Sequence, residues 1–169
     1  RLPSFNDHTG YLIVRRVIDI FASFLFLPVG LILVVIVGVL IKLETNGPVF
    51  FVQKRIGRSG KPFLLFKLRT MVPDEQGSAS FASQNVHRIT RIGRIARRWR
   101  IDEIPQLWNI FVGDMSLIGP RPEQQKFVEQ YEAEIPFYNI RHRLRPGLTG
   151  WAQVKQGYAE GREEARRKL

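Results

Sequence analysis

The stretch IFASFLFLPVGLILVVIVGVLI, Ile20 to Ile41, carries no charged side chain, and its reading decides how the chain is built. As a helix it measures roughly 33 Å at 1.5 Å per residue, against a hydrocarbon core of about 30 Å. Length therefore allows a simple membrane span, but two features argue against one. Pro28 interrupts the run and removes one backbone hydrogen bond. Cations flank both ends, Arg15 and Arg16 before it and Lys42, Lys54 and Arg55 after it. The bias of Lys and Arg towards the cytoplasm would place both flanks on one face. The residues leave a spanning helix and a re-entrant helix, broken at Pro28, about equally open; a buried soluble helix comes third. Asp19 falls at the membrane edge, where Arg15 or Arg16 is the natural partner, and Ser23 is a candidate donor to carbonyls freed at the break.

Working outward, Asn46-Gly47-Pro48 is a turn. Val49–Val52 and Phe63–Phe66 read as short strands of a hairpin joined across Gly57-Arg58-Ser59-Gly60. That turn, with Lys61 and Pro62 after it, lacks the spacing of a phosphate loop. Pro73–Gln84 is rich in Ser, Ala, Gly, Asp and Glu and reads as a loop. In Arg88–Arg100, Ile89, Ile92, Ile95, Ala96 and Trp99 alternate with arginines, the pattern of a basic amphipathic helix on a membrane surface, on DNA or over a core.

Next comes Arg97–Pro122, RRWRIDEIPQLWNIFVGDMSLIGPRP. Ile104, Leu107, Trp108 and Phe111 share one helical face, and Pro105 fits only a first turn, so a helix is expected to begin near Asp102 with Asp102 as its N-cap. An Asp cap followed by Glu is a common way to start any helix. The adjacent carboxylates Asp102 and Glu103, with Arg97, Arg98 and Arg100 before them and Arg121 between two prolines after them, also suggest phosphoryl chemistry. Glu123–Ile135 reads as a surface helix. Tyr138–Arg145 forms a second basic cluster, and Arg145–Val154 a turn feeding a short apolar strand.

The whole chain of 169 residues suits one domain with a real core. Its net charge of +11 points to polyanions: nucleic acid, anionic headgroups or a phosphorylated small molecule. With no Cys there is no disulfide and no cysteine-ligated metal, and His8, His87 and His142 show no metal-ligand spacing. No serine-nucleophile elbow is present. The chain opens on Arg1 rather than Met and ends in a charged helical pattern, Glu160–Leu169, so both ends read as cut from something longer.

Several motifs in order now carry a resemblance. They are Arg15-Arg16-Val-Ile-Asp19; Gly47-Pro-Val-Phe-Phe with Gln53-Lys-Arg-Ile-Gly57; and Phe66-Lys-Leu-Arg-Thr-Met71. Then follow Arg100-Ile-Asp102-Glu103-Ile-Pro-Gln-Leu-Trp-Asn109, Gly113-Asp-Met-Ser-Leu-Ile-Gly-Pro-Arg-Pro122 and Arg145-Pro-Gly-Leu-Thr-Gly-Trp-Ala-Gln153. From about Tyr11 to Gly157 the chain resembles the bacterial sugar transferases, monotopic phosphoglycosyltransferases that load a sugar-1-phosphate onto polyprenyl phosphate. The resemblance implies a predominantly helical α/β fold: a polar lead (1–10), a re-entrant membrane helix (11–45) and a cytoplasmic catalytic domain (46–169) with a short hairpin and amphipathic surface helices. It implies Asp102 as nucleophile, Glu103 as partner acid, and Mg²⁺ held by both. Arg121 looks like a phosphate ligand, with Lys67, Arg69, Arg97 and Arg145 as further candidates. The implied donor is a UDP-sugar and the acceptor undecaprenyl phosphate, at the cytoplasmic face of the bacterial inner membrane. The reaction would proceed through an aspartyl phospho-sugar and initiate exopolysaccharide, capsule, O-antigen or glycoconjugate assembly. No nucleic-acid partner is implied, and a homo-oligomer is left open. The family often has Ser before the proline of the membrane break; Leu27 stands there in this chain. The rival reading is a non-enzymatic, membrane-tethered basic protein that binds nucleic acid or anionic lipid.

Overall fold

The computed structural model describes residues 9–72 and 87–156. The expected loop from Pro73, most of the polar lead and the charged C-terminal pattern lie outside the described residues. Helix α1 (Thr9–Glu44) is followed by strands β1 (Phe50–Ile56) and β2 (Pro62–Leu68), then α2 (Arg91–Arg98) and a 3₁₀ turn at Ile101–Glu103. Next come α3 (Gln106–Val112), β3 (Ser116–Ile118), α4 (Gln125–Glu134), a 3₁₀ turn at Tyr138–Arg143, β4 (Gly147–Thr149) and α5 (Trp151–Gln156). The described residues are thus mostly helical, with two two-stranded sheets.

Helix α1 is long and apolar enough to cross a membrane. Phe21, Phe24, Val29, Ile32 and Val35 are among the many large apolar side chains it exposes. Pro28, where a break is expected, lies inside one helical run from Thr9 to Glu44. A proline deletes one rung of the hydrogen-bond ladder, and the rungs on either side sustain the run.

One face of α1 is nonetheless buried along its length, through Asp19, Ser23, Gly30, Val34, Gly38 and Ile41. Gly30 lets Ile104 come so close that a Cβ there would sit 2.7 Å from its Cγ2. Val34 and Ile41 join Leu68 in one core cluster, with Ile92, Ile101 and Ile104 packed against it. The expected boundary after residue 45 therefore divides the chain but not the core.

The two ends of α1 are tied to the domain by opposite charges. Arg16 donates to the carbonyls of Ile110 (2.6 Å) and Phe111 (2.7 Å), at the C-terminal end of α3. Glu44 accepts from the N–H groups of Arg91 (2.7 Å) and Ile92 (3.1 Å), opening α2. A cation on spare carbonyls and an anion on spare N–H groups both satisfy orphan backbone groups and match the helix dipoles. The Thr90 hydroxyl completes the α2 cap on the Gly93 N–H (2.9 Å), so the basic helix starts three residues later than Arg88.

The hairpin is longer than expected. β1 and β2 pair antiparallel from Phe50 with Leu68 to Ile56 with Pro62. A second sheet was not foreseen: β3 and β4 pair parallel, Ser116 with Gly147 and Ile118 with Thr149. Three-residue strands carry no readable alternation. Their approach requires glycine, since a Cβ on Gly147 would lie 2.0 Å from the Gly119 nitrogen. The segment after β4, expected as strand, is the helix α5 instead.

α2 sits equally close to the end of β2. A Cβ on Gly93 would fall 2.2 Å from the Thr70 carbonyl oxygen, a backbone atom that cannot step aside. Gly93→Ala should therefore cost on the order of 2 kcal/mol as the helix is pushed away. Thermal unfolding in detergent checks this, and a variant as stable as wild type would contradict the packing.

Candidate active site

Asp102 is not the N-cap expected of it. It lies in the 3₁₀ turn Ile101–Glu103, and Pro105 immediately precedes α3. The cause is Arg100, whose left-handed backbone (φ 58, ψ 19) turns the chain sharply after α2. A non-glycine residue there is strained, and such strain clusters at functional sites. The turn buries Asp102, which is 7% exposed. Glu103 pairs with Arg100 at 3.3 Å.

Burial pushes the Asp102 carboxyl up to about 6, with the Glu103 charge adding to it; Lys67 and Arg97 pull the other way. Lys67, on β2, is pushed down to about 8 by burial first, then by Arg55. Asp102 raises it again, and Arg97 and Arg121 lower it. Lys67 thus feels Asp102, Arg97, Arg121 and Arg55 together, and is the electrostatic centre of the group. Its Nζ lies 5.0 Å from the Phe51 ring centroid, and Arg97 Nε donates to the Thr70 hydroxyl at 2.8 Å.

The other two candidate cations lie elsewhere. Arg69 is buried and spends its guanidinium on Asn46 O (2.6 Å), Thr45 O (3.0 Å) and Thr45 Oγ1 (2.9 Å). It fastens the end of the hairpin to the end of α1. Arg145 is shifted down by burial and then by Arg16 and Arg58, with Asp19 opposing, which places it by the N-terminal half of α1. There Asp19 accepts from Ser116 Oγ (3.1 Å) and Leu117 N–H (2.9 Å), and Arg15 Nε donates to Ser116 Oγ (3.0 Å). Asp19 is held by β3 rather than by an arginine hydrogen bond of its own.

Two residues with no assigned role prove central. Asn109 is fully buried; its amide donates to Leu64 O (2.7 Å) and accepts from Phe66 N–H (3.2 Å). It thereby replaces a neighbouring strand along β2 and ties α3 to the strand that carries Lys67. Arg55 is half-buried, donates to Pro122 O (3.1 Å) and pairs with Glu123 at 3.8 Å. Its signals in the sequence were its place among the cations that follow the apolar run and in the motif Gln53-Lys-Arg-Ile-Gly57, neither of which gives it a partner.

A buried, basic carboxylate ringed by cations, beside a helix with large apolar faces, suits chemistry on an anionic substrate at a membrane. Comparison with known proteins agrees. The family model for bacterial sugar transferases matches residues 10–169. The chain belongs to this family. It is 48% identical over 94% of its length to an Aeromonas hydrophila protein named UDP-N-acetylgalactosamine-undecaprenyl-phosphate N-acetylgalactosaminephosphotransferase, of which it covers 38%. It is 46% identical over 83% of its length to the UDP-glucose:undecaprenyl-phosphate glucose-1-phosphate transferase of Caulobacter vibrioides, covering 53% of that protein. The enzyme of that same name from Xanthomonas campestris pv. campestris is 46% identical over 73% of the chain, with 26% covered. The chain thus spans between about a quarter and a half of these three relatives. Their names differ in the sugar.

Proposed function

We propose that this bacterial sugar transferase moves a sugar-1-phosphate from a UDP-sugar to undecaprenyl phosphate, with Asp102 as the nucleophile. The observation that carries the reading is Asp102 itself, a buried carboxylate held at about 6 with Lys67 and Arg97 in its field. Near neutral pH it is ionised yet poorly hydrated, the condition of an activated nucleophile. An Asp102 oxygen attacks the phosphorus that carries the sugar. The bond from that phosphorus to the bridging oxygen breaks, and its electron pair leaves with UMP. The sugar-phosphate is then held on Asp102 as an acyl phosphate. In the second step a phosphate oxygen of undecaprenyl phosphate attacks the same phosphorus and frees the Asp102 carboxylate. Lys67, Arg97 and Arg121 offset the anionic charge that otherwise opposes carboxylate attack on a diphosphate.

Among the described residues no three acidic, His or Cys side chains converge on a metal site. Two adjacent carboxylates fit Mg²⁺, which keeps several waters and takes other ligands from substrate phosphates. Asp102 and Glu103 would hold it, and when bound it supplies Lewis-acid neutralisation of the diphosphate.

For topology we favour re-entry from the cytoplasmic face of the inner membrane. Arg16 and Glu44, near opposite ends of α1, both bond the same folded domain, and the buried face of α1 is continuous between them. A simple span would carry one of those ends across the bilayer. The chain has no native Cys, so single cysteines at Gly10 and Thr45 can be labelled with an impermeant maleimide in sealed vesicles. Both should react from the same side; labelling from opposite sides would make α1 a span. The activity is tested by UMP release that requires undecaprenyl phosphate across a panel of UDP-sugars. Absence of release with every donor would remove the proposal.

A further inference from the structure

The Pro120-Arg121-Pro122 turn cannot organise itself, because two of its three residues lack an N–H. Its carbonyls are instead held from outside, one after another. Pro120 O accepts from Gly147 N–H at 2.9 Å, and Arg121 O from Arg141 Nη2 at 2.8 Å. Pro122 O accepts from Arg55 Nη1 at 3.1 Å, and Glu123 O from Ile56 N–H at 3.0 Å. Four consecutive carbonyls are thus fixed by β4, the 3₁₀ turn at Tyr138–Arg143 and β1.

Of the two side-chain donors, Arg55 also acts on Lys67, whereas Arg141 has no other task in the proposed chemistry. It belongs to the second basic cluster of the sequence, which the phosphate-binding group around Asp102 leaves unexplained. Its Nη1 donates to the Tyr138 hydroxyl, and its guanidinium carbon lies 4.8 Å from the Tyr138 ring centroid. Tyr138 is 1% exposed and packs in turn against Tyr131, ring tilted to ring (5.3 Å between centroids), within the cluster that contains Phe127 and Ile135. A planar guanidinium fixed at one end by a buried phenol has little freedom left. The other end then sets where the Arg121 backbone sits.

We propose that Arg141 is a positioning residue. It transmits the rigidity of the aromatic core around α4 to the Pro-Arg-Pro turn, so that the Arg121 side chain is presented ready-placed to the donor diphosphate. This inference rests on the function proposed above. Arg121 meets the substrate; Arg141 acts through it.

The test is a mutant cycle on kcat/KM for the UDP-sugar, with UMP affinity by calorimetry as a second readout and melting temperature recorded for every variant. Arg121→Ala should lower kcat/KM and weaken UMP binding. Arg141→Gln, which removes the charged donor, should lower kcat/KM by about 10- to 100-fold, the usual result of misplacing a binding group by an ångström or so. In the Arg121→Ala background the same Arg141→Gln change should add less than about 2-fold, since the residue it positions is gone. Arg141→Lys and Tyr138→Phe each keep most of the packing and should show smaller losses of the same kind; they carry the test if Arg141→Gln does not fold. A full Arg141→Gln loss repeated in the Arg121→Ala background would overturn the inference, because Arg141 would then meet substrate or support the fold generally. So would wild-type kinetics in Arg141→Gln. If Arg121→Ala alone changes neither kcat/KM nor UMP binding, the failure lies in the functional role of Arg121 instead.

Discussion

Asp102→Asn should abolish turnover and at the same time raise the melting temperature of the metal-free protein. The two effects share one cause. Folding moves the Asp102 carboxyl from its ordinary 3.8 to about 6, chiefly because burial disfavours its charged form. A raised carboxyl pKa means that the contribution of Asp102 to stability is intact below pH 4 and is lost as pH rises through about 6. At pH 7 the ionised side chain thus weighs against the folded state by roughly 3 kcal/mol, at about 1.4 kcal/mol per unit. The amide has the same shape and no charge, so it relieves most of that cost. It is also no nucleophile. The gain should be present at pH 7 in buffer with chelator and should vanish near pH 4. A variant that lost activity and melted lower would make Asp102 a structural residue.

Asp19→Ala should give the largest loss of stability among single changes in α1. Asp19 is almost wholly buried, and its Oδ1 serves Ser116 Oγ and Leu117 N–H together. Truncation leaves both donors unpaired, and leaves Arg145 near Arg15 and Arg16 without the one carboxylate that offsets them. Removing one member of such a buried polar group costs on the order of 3 kcal/mol. Asp19→Asn retains an acceptor at the same place and should lose about a third as much. Melting in detergent, with limited proteolysis to show whether α1 has come loose, separates the two variants. Equal stability of Asp19→Ala and wild type would mean that β3 does not hold the helix.

Much of this arrangement was legible in the sequence, and the exceptions have physical reasons. The apolar run, the hairpin and the helix at α4 announce themselves through composition and period. The buried face of α1 does not, because in a helix that is apolar all round no apolar stripe stands out. Its signature is the run of small and polar residues, Asp19, Ser23, Gly30 and Gly38, which let backbones and side chains of the domain come close. Reading for small residues rather than apolar ones would have found it. Asp102 and Glu103 were legible as a pair, but their setting was not. A helix start at Asp102 was a sound expectation from Pro105, and the left-handed Arg100 overrode it. Lys67 and Arg69 looked equivalent in the sequence. Two residues apart, they share a face on a strand pattern, yet Lys67 sits in the field of Asp102 while Arg69 is consumed by carbonyls at the end of α1. Only the long-range packing of α1 separates their roles. The cradle around Arg121 was equally hidden, since its donors come from three segments far apart in the chain.

The central claim, that Asp102 carries the sugar-phosphate covalently, is tested most directly by intact-protein mass spectrometry. Detergent-solubilised protein is mixed with Mg²⁺ and each of several UDP-sugars, without undecaprenyl phosphate. The expected result is a mass increase equal to one phospho-sugar with one donor, absent from Asp102→Asn and discharged when undecaprenyl phosphate is added. An adduct that persists in Asp102→Asn, or acceptor-dependent UMP release with no adduct at any time point, would contradict it.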